Sequence, residues 1–501
     1  MMMKRIDMKR WRKGLAALAM IIALLAATAA LAEDDFLLTV EAEKGRLLGG
    51  ARVSADLMKV ENLKAAGDGV AVTFDVPEAG FYDILVRACS VDNSSKTNYI
   101  DVDGERAGEI VTTGRTMQDS ALERVYLEAG EHEVAVIGYW CWIIIDSVSL
   151  RRSEALPEDL FDVEPVLVNP NATENARRLM HYLTDSYGKV VLSGQYCDQG
   201  AFGNENECIA NATGGEYPAV LGLDMIEYSP SRASHHAAGS LKTTERAIEY
   251  WEMGGIVTYC WHWNVAEKYH KDIWWQGFYT NYVSIDLAQI MNGGDPEGYD
   301  LLMADIDAIA VELGKLQDAG VPVLWRPLHE ASGGWFWWGA AGPEPYIELY
   351  RTLYDRLVNV HGLNNLIWIW NGQDAAWYPG DEYVDIIGED IYAGEHVYGS
   401  QAQKFLQAAR YTDARKMVVL SENGTIPDPD LMRRDSALWG FFCTWSGEFV
   451  AQSNALGKLS EQYTEASMVQ KAYASDLVVT RSELPDLKTY PLPGEAAESA
   501  Q

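Results

Sequence analysis

Two glutamates, Glu330 and Glu422, each follow a short apolar run typical of a buried strand and precede a loop that contains glycine. Catalytic side chains occupy such positions at the C-terminal ends of parallel barrel strands. A pair of carboxyl groups can hydrolyse a glycosidic bond, because one protonates the leaving oxygen while the other attacks or stabilises the oxocarbenium-like carbon. The aromatic run from Trp335 to Trp338 offers ring faces that suit the apolar faces of sugars. The alternative, a buried ion pair, explains one such glutamate more readily than two.

Eight strand-like runs alternate with helical patterns over residues 166–485. Eight parallel strands connected by helices close into a (β/α)8 barrel, the TIM barrel. The helical patterns are clearest over residues 300–317 and 346–360. The predicted strands are Val190–Gly194, Ala219–Asp224, Ile256–Trp261, Val323–Arg326, Leu366–Trp370, Val384–Gly388, Met417–Ser421 and Gly440–Trp445.

The chain is too long for one ordinary core, and its pattern changes near residue 153. Residues 33–152 hold short strands separated by turns with glycine, which predicts an antiparallel β-sandwich. Residues 153–170 carry three prolines among acidic residues and are interpreted as a linker. Residues 486–501 are interpreted as a disordered tail. The predicted fold class is therefore multi-domain, with an antiparallel β-sandwich before a (β/α)8 barrel.

Residues 1–32 have the pattern of a secretory signal peptide. Basic residues lead into an apolar stretch from Leu15 to Ala27, and Ala30-Leu31-Ala32 offers a cleavage site with small residues. A transmembrane anchor is the alternative, but a spanning helix needs about 20 apolar residues and this stretch is shorter. We therefore expect a secreted, extracellular protein.

The charge of the chain limits its partners. The formal net charge is −33, and it becomes −38 without residues 1–32, which carry six basic residues and one acidic residue. Such a charge argues against nucleic acid and anionic membranes as partners and favours a neutral ligand such as a polysaccharide. A general role of the charge in solubility is the alternative.

Six cysteines in an exported chain can form disulfides, although they do not form a dense framework. Cys197 and Cys208 are close in sequence within one polar loop, and Cys89 and Cys141 lie on two strand-like segments of the N-terminal region, so both pairs are predicted as disulfides. Cys260 and Cys443 lie in apolar runs, where a free buried cysteine is the common outcome.

Several motifs of the C-terminal region together resemble glycoside hydrolase family 26, which consists chiefly of β-mannanases. The resemblance covers residues 166–474 and rests on the segments Trp325–Glu330, Gly333–Gly339, Trp261–Trp263, Gly388–Tyr392 and Ser421–Glu422. It implies that Glu330 is the acid/base and Glu422 the nucleophile of a retaining double displacement. This chemistry needs no cofactor.

The same resemblance implies a set of substrate-binding residues. His329 matches a residue that contacts the nucleophile and the sugar hydroxyl region, and His262 matches a histidine that contacts substrate. The alternatives are a core histidine for His329 and plain packing for the aromatic residues, and Trp439 competes with Trp445 as the floor of the cleaved sugar's subsite. Arg326, Asp390 and Trp274 or Trp275 are weaker candidates that support the site. The full set of expected substrate contacts in this region is His262, His329, Trp335, Tyr392 and Trp445.

The N-terminal region resembles, more loosely, a family 35 carbohydrate-binding module. The resemblance implies that Glu41, Glu43 and Asp146 hold a structural calcium ion, since hard carboxylate oxygens suit that cation. Scattered surface carboxylates are the alternative. Trp140 is expected to stack on a sugar, with Trp142 as the other possibility, and Asn98 is a possible polar contact.

The function that follows is a secreted endo-β-1,4-mannanase acting on mannan, glucomannan or galactomannan. A related β-glycanase that cleaves 1,3-xylan or mixed-linkage glucan would use the same carboxylates, since loops set the choice of sugar. A non-catalytic carbohydrate-binding protein on a barrel scaffold is the second alternative.

Overall fold

The computed structural model describes residues 37–197, 205–235, 241–453, 455–493 and 495. The predicted signal peptide and the last six residues of the predicted tail lie outside these ranges. The chain forms two compact units that divide between Ala155 and Leu156. No helix of the described ranges is long and apolar enough to cross a membrane.

The first unit consists of two antiparallel sheets. One sheet has the order β3-β4-β11-β6-β9, with β1 also paired to β11, and the other has the order β2-β5-β10-β7-β8. The strands are β1 Leu37–Glu41, β2 Arg46–Leu48, β3 Arg52–Val53, β4 Val60–Glu61, β5 Gly69–Val76, β6 Gly80–Ser90, β7 Lys96–Val102, β8 Glu105–Thr112, β9 Gln118–Leu127, β10 Gly130–Ile137 and β11 Ile143–Arg152.

The two sheets share one apolar core. Val86 of β6 and Val148 of β11 are register partners in the first sheet, while Val72 of β5 and Val134 of β10 are partners in the second, and all four are buried in the same cluster. Side chains of a strand alternate between two faces, so each sheet gives one apolar face to this core. The predicted β-sandwich is confirmed.

The second unit contains a closed barrel of eight parallel strands, as predicted. Its strands are β13 Gly194–Tyr196, β14 Val220–Asp224, β15 Ile256–Cys260, β16 Val323–Arg326, β17 Leu366–Trp370, β18 Ile386–Ile391, β19 Met417–Asn423 and β20 Phe442–Thr444. The strands are almost wholly buried, because side chains fill the barrel interior and helices cover its outside. The α-helices are α1 Glu174–Ser186, α2 Glu205–Thr213, α3 Pro230–Ser234, α4 Thr243–Glu252, α5 Leu287–Met291, α6 Pro296–Asp318, α7 Pro343–Asp355, α8 Ala402–Ala408, α9 Pro429–Asp435 and α10 Ala466–Tyr473.

The first barrel strand differs from the prediction. Residues Val191–Leu192 form β12, which pairs with β21, Val478–Val479, in a separate two-stranded parallel sheet. The barrel strand begins at Gly194, where an added Cβ would lie 2.4 Å from the carbonyl oxygen of Phe442. The predicted run therefore contributes residues to two sheets. Apolar character alone does not show which residues belong to which sheet.

The predicted linker and tail are also corrected. From Leu156 onward the predicted linker belongs to the barrel unit, and its Phe161 ring packs 5.1 Å from the ring of Tyr187. In the predicted disordered tail, Leu487 is buried and Tyr490 contacts the ring of Tyr182 at 5.3 Å. Residues 156–170 and the described part of the predicted tail bury aromatic or aliphatic side chains, which explains why these residues are ordered.

All six cysteines are free and buried, so neither predicted disulfide is present. Cys89 is the register partner of Ile144 rather than of Cys141, and the Cys141 thiol contacts the carbonyl oxygen of Tyr139. Cys208 donates to the carbonyl oxygen of Lys458, away from Cys197. The expectation that Cys260 and Cys443 are free is confirmed.

Candidate active site

The predicted barrel residues come together at one mouth of the barrel, beside three residues that the sequence did not single out. Each lies at the C-terminal end of a strand or in the loop that follows, where parallel strands present their functional groups. The residues concerned are Tyr196 of β13, Asp224 of β14, His262 after β15, Arg326, His329 and Glu330 at and after β16, Asn371 after β17, Asp390 and Tyr392 at and after β18, Glu422 of β19 and Trp445 after β20.

Glu330 is held by its backbone and by its carboxylate. Its φ is +53°, and its N–H donates to the carbonyl oxygen and to the side-chain oxygen of Asn371, at 2.7 and 3.0 Å. The indole N–H of Trp335 donates to Glu330 Oε2 at 2.8 Å. A Cβ on Gly333 would lie 2.0 Å from the Trp335 ring, so this turn requires glycine. Both the glutamate and its indole donor are therefore fixed by local backbone geometry.

Glu422 is buried and accepts two strong hydrogen bonds. Arg326 Nη2 donates to Oε2 at 2.5 Å, and the Tyr392 hydroxyl donates to Oε1. A charged donor and a hydroxyl both stabilise the ionised carboxylate and fix its orientation. This arrangement suits a nucleophile that must remain an anion.

The two glutamates are close to each other. One carboxylate oxygen from each of Glu330, Glu422 and Asp390 lies within 4.8 Å of the other two. Burial and the nearby charge of Glu422 raise the pKa of Glu330 to about 7. Glu330 can therefore carry a proton near neutral pH, as the acid of such a pair must.

Arg326 connects the carboxylates beneath the site. The side chain is completely buried, and besides Glu422 it donates to Asp390 Oδ2 at 2.5 Å and to the Tyr196 hydroxyl at 3.1 Å. Asp390 also accepts from the Ser421 hydroxyl at 2.7 Å. Arg326 and Asp390 were predicted only to support the site. In the structure Arg326 bonds directly to Glu422, and Asp390 bonds to Arg326.

His262 and His329 form a pair beside the carboxylates. Their Nε2 atoms are 3.3 Å apart, and His262 Nδ1 is 2.6 Å from Asp224 Oδ2. Burial, Arg326 and His262 hold the pKa of His329 well below its usual value, so this ring is neutral. His329 thus belongs to a polar network, which argues against its being a simple core histidine.

The aromatic candidates differ in whether their rings line the site or are buried away from it. Trp445 is half-buried, and its ring lies 4.8 Å from Tyr196 and 5.7 Å from His262, so it faces the site. Trp439 is fully buried and donates to the carbonyl oxygen of Ser400, which removes it as the alternative floor. Trp335 is 48% exposed, so part of its side chain is available to a ligand.

The tryptophans at 274 and 275 lie on the long loop after β15 rather than among the carboxylates. The Trp274 ring stacks on His235 at 4.0 Å, and Trp275 is 53% exposed. Neither has a hydrogen bond or ring contact with Glu330 or Glu422 among the described residues. They are not part of the carboxylate centre.

The three carboxylates expected to hold calcium do not meet. Among the described residues, groups of three metal-ligating side chains within 4.8 Å occur at two places, and both are in the barrel unit. Asp146 instead faces two cations, with Lys59 Nζ at 3.9 Å and Arg87 Nε at 3.5 Å. Glu43 has one buried carboxylate oxygen without a donor, but Glu41 and Asp146 do not complete a group with it. The calcium site therefore stays a prediction, and in this structure Lys59 and Arg87 lie near the oxygens of Asp146.

Trp140 lies in an exposed aromatic loop of the first unit. Trp140 is 61% exposed and its neighbours Tyr139 and Trp142 are 51% and 44% exposed. Asn98, expected as a sugar contact, is fully buried, and its side-chain oxygen accepts from the N–H groups of Tyr139 and Cys141. Asn98 therefore holds the loop that presents the rings and is not itself exposed to a ligand.

Two family models account for nearly all of the described chain. The model of glycosyl hydrolase family 26 matches residues 168–473, and the model of the family 35 carbohydrate binding module matches residues 39–153. The chain belongs to glycosyl hydrolase family 26. It is therefore a glycoside hydrolase with a family 35 module before the catalytic barrel, as the sequence motifs indicated.

Relatives of this family 26 chain share both units. The mannan endo-1,4-β-mannosidase of Thermothelomyces thermophilus is 38% identical over 418 residues, which is 82% of this chain and 83% of that protein. Mannan endo-1,4-β-mannosidase B of Piromyces sp is 35% identical over 459 residues, covering 89% and 77% respectively. The crystal structure of the Podospora anserina GH26-CBM35 β-(1,4)-mannanase matches with a TM-score of 0.63 and 34% identity, over 91% of this chain and 100% of that one.

The family 26 site contains residues that sequence reasoning missed. Asp224 ends a predicted strand and Asn371 follows another, so the rule that selected the glutamates could also have selected them. Tyr196 was missed because the first barrel strand was placed too early. Phe336, whose ring lies 4.9 Å from His329, sits within the quoted aromatic motif and gave no separate signal.

Proposed function

We propose that this glycoside hydrolase is an endo-β-1,4-mannanase that acts by a retaining double displacement. The observation that carries the proposal is the separation of the Glu330 and Glu422 carboxylates, with oxygens within 4.8 Å of each other. Retaining enzymes place these groups about 5 to 5.5 Å apart, whereas inverting enzymes need about 6.5 to 9.5 Å to admit a water molecule. Oxygens within 4.8 Å of each other leave less room for a water molecule between the two groups, which supports direct attack by Glu422.

In the first step, Glu330 transfers its proton to the glycosidic oxygen while a Glu422 oxygen bonds to the anomeric carbon. The bond between that carbon and the glycosidic oxygen breaks, and the leaving sugar departs as an alcohol. The hydrogen bonds from Arg326 and Tyr392 orient the attacking carboxylate. The raised pKa of Glu330, about 7, supports its role as the acid.

In the second step, Glu330 acts as a base. Its carboxylate takes a proton from water, whose oxygen attacks the anomeric carbon and releases Glu422 as a carboxylate. Glu330 ends the cycle protonated and Glu422 ionised. Two inversions at one carbon give net retention of configuration.

The choice of a β-mannan rests on the relatives and on the walls of the site. Mannan endo-1,4-β-mannosidases match over most of the chain, at up to 38% identity. His262 and His329 lie beside the carboxylates, where we expect the axial 2-hydroxyl of mannose, and misplacing one hydroxyl leaves polar groups of the site unpaired. The strongly acidic chain suits a neutral polymer such as mannan, glucomannan or galactomannan.

For the first unit we propose polymer binding through Trp140. An exposed ring on an ordered loop can stack on a sugar, and a linked second site raises the effective concentration of the barrel at insoluble polymer. Export of the chain by residues 1–32 would place it where such polymer occurs.

The test is to incubate the enzyme with a panel of pure polysaccharides and to measure hydrolysis by the release of reducing sugar. We expect mannan to be cleaved far faster than cellulose, 1,3-xylan or mixed-linkage glucan, with a rapid fall in viscosity that marks internal cleavage. Comparable rates on mixed-linkage glucan or 1,3-xylan would favour the related β-glycanase. An absence of cleavage on every polymer would favour the non-catalytic binding protein.

A further inference from the structure

Asp224 contacts His262 and Ile226, and these contacts have no part in the reaction steps proposed above. One oxygen, Oδ1, accepts the backbone N–H of His262 at 3.0 Å and that of Ile226 at 2.9 Å. The other oxygen, Oδ2, lies 2.6 Å from His262 Nδ1. Two of these contacts are backbone N–H groups that donate to Oδ1, and the third is a ring nitrogen beside Oδ2. It ends strand β14 at the mouth of the barrel.

These contacts determine which nitrogen of His262 carries the proton. An ionised carboxylate can only accept, so Nδ1 of His262 must be the N–H that faces it. In the neutral ring, Nε2 then has a lone pair. Nε2 of His262 is 3.3 Å from Nε2 of His329, so the hydrogen bond between the rings requires the proton to be on His329 Nε2.

The same logic fixes the second ring. His329 is neutral and buried, and its Nδ1 has no hydrogen-bond partner among the described residues. A buried lone pair without a donor costs less than a buried N–H without an acceptor, because orphaned N–H groups are the rarer case in folded proteins. The proton of His329 therefore belongs on Nε2, in agreement with the order set by Asp224.

We propose that Asp224 is a positioning residue that fixes the tautomers of His262 and His329, so that both rings are held in one arrangement beside Glu330 and Glu422. The inference rests on the proposed function, because the two histidines act on the substrate only if the barrel binds and cleaves a sugar. The ring of His262 is wedged 5.0 Å from Phe278 and 5.4 Å from Phe336. Its direction is thus set by packing, and its protonation by Asp224.

The substitution Asp224→Asn separates positioning from folding. Asn keeps an oxygen that can accept from both backbone N–H groups, and the amide cannot be reversed, because its NH2 would then face those two donors. The NH2 therefore faces His262 Nδ1, which must become an acceptor with the proton on Nε2. The two Nε2–H groups would oppose each other, so the pair must separate or His329 must move its proton to the unpartnered Nδ1.

Asp374→Asn is the matched control. Asp374 also precedes a short 3-10 helix and caps it through one oxygen, which accepts from Ala376 N at 2.8 Å, as Asp224 caps Ile226. Its side chain is exposed and has no histidine contact among the described residues. Any general effect of replacing a cap carboxylate by an amide should occur equally in both variants.

The experiment combines kinetics with 15N NMR of histidine-labelled full-length enzyme, with His262 signals assigned by their loss in His262→Gln. We expect wild type to show His262 protonated at Nδ1 and His329 at Nε2, and Asp224→Asn to show His262 protonated at Nε2. We expect kcat on soluble mannan to fall about 10- to 100-fold in Asp224→Asn with KM nearly unchanged, and Asp374→Asn to match wild type in both.

An unchanged His262 signal in Asp224→Asn would overturn the proposal, as would a wild-type His262 protonated on both nitrogens. Equal losses of kcat in the two variants would also overturn it, because they would indicate only a capping role. The NMR result does not depend on turnover, so a wild-type enzyme that cleaves no mannan would contradict the proposed function while the tautomers are still measured.

Discussion

The barrel mouth and the aromatic loop of the first unit present sugar-binding chemistry in opposite ways. At the mouth, Glu422 and Arg326 are buried, and their charges are matched by direct hydrogen bonds. In the loop, Trp140 is 61% exposed and carries no charge, and the buried Asn98 holds the backbone beneath it. Both sites depend on a buried polar residue. Only at the mouth are the groups that would react themselves buried, in an environment of low dielectric constant.

This difference follows from what each site must do. Bond cleavage requires charges held in place before the reaction, and burial strengthens each electrostatic interaction while raising the cost of an unmatched charge. Polymer binding needs contact area, which exposed rings provide without buried charge. Substitutions at the mouth should therefore have large effects on the rate of hydrolysis or on the free energy of unfolding. Substitutions in the loop should have modest effects on the affinity for polymer.

The largest effect is expected for Glu422→Gln. Loss of the proposed nucleophile should lower kcat/KM by on the order of 10⁵-fold or more, even with activated aryl mannosides, because in the proposed mechanism only Glu422 forms the covalent intermediate. Glu389→Gln is the control: Glu389 is also buried, on the adjacent strand, but its carboxylate interacts with Tyr411. Steady-state kinetics should show near wild-type rates for the control. Similar losses in both variants would contradict the assignment of Glu422 as the nucleophile.

Glu330→Ala should have a smaller effect that depends on the leaving group. On mannan we expect a loss of about 10²- to 10⁴-fold, whereas activated aryl mannosides need little protonation and should keep more of their rate in the first step. Equal losses on both substrates would contradict the assignment of Glu330 as the acid.

The pH dependence tests the same residue. Because the pKa of Glu330 is raised to about 7, the acid is protonated below that pH and ionises above it. We expect kcat/KM on mannan to fall as the pH rises through about 7, and this basic limb to be absent from the Glu330→Ala profile on activated substrate. A wild-type profile that stays flat to pH 9 would contradict the account.

Arg326→Met tests the cost of burying unmatched charge. Asp390 and Glu422 would lose their shared cation, and removing one partner of a buried pair costs about 3 to 5 kcal/mol of unfolding free energy. Arg433, which pairs with Asp476 at the surface, is the control, and Arg433→Met should cost less than about 1 kcal/mol. Urea denaturation compares the two, and equal losses would show that burial does not distinguish them.

The smallest effect is expected for Trp140→Ala. Loss of one stacking ring should weaken binding to insoluble mannan by about 5- to 30-fold, or about 1 to 2 kcal/mol, and leave hydrolysis of soluble mannan unchanged. Leu57→Ala replaces another exposed apolar side chain of the same unit, 70% exposed, and should leave both properties unchanged. Pull-down with insoluble mannan measures the binding, and equal retention of all three proteins would remove Trp140 from the binding surface.

The fold was predictable wherever one apolar run corresponds to one strand. Val323–Arg326 and Leu366–Trp370 were predicted with the bounds that the structure has, since each run is fully buried and bounded by polar or turn residues. The run near Val191 was misplaced, because tertiary pairing with Val478–Val479 divides it between two sheets. Pairing between segments that are distant in sequence leaves no local pattern.

The site was predictable in its carboxylates and in some supporting residues, such as Arg326 and Tyr392, but not in every supporting contact. Glu330 and Glu422 stand at strand ends within distinctive motifs, whereas the contact of Asp224 with His262 joins two strands and depends on barrel closure. The calcium site stays a prediction, whereas the disulfide predictions failed for the same reason. Proximity of Asp146 to Lys59, and separation of Cys89 from Cys141, are three-dimensional facts that residue type does not encode.

The most direct test of the central claim is to trap the covalent intermediate. Wild-type enzyme is treated with a 2-deoxy-2-fluoro-mannosyl fluoride, which slows the second step, and the protein is digested and examined by mass spectrometry. A retaining mechanism with Glu422 as nucleophile predicts one added glycosyl unit, located on the peptide that contains Glu422. A glycosyl unit on Glu330 or Asp390 instead, or an enzyme that stays unlabelled while it still cleaves mannan, would contradict it.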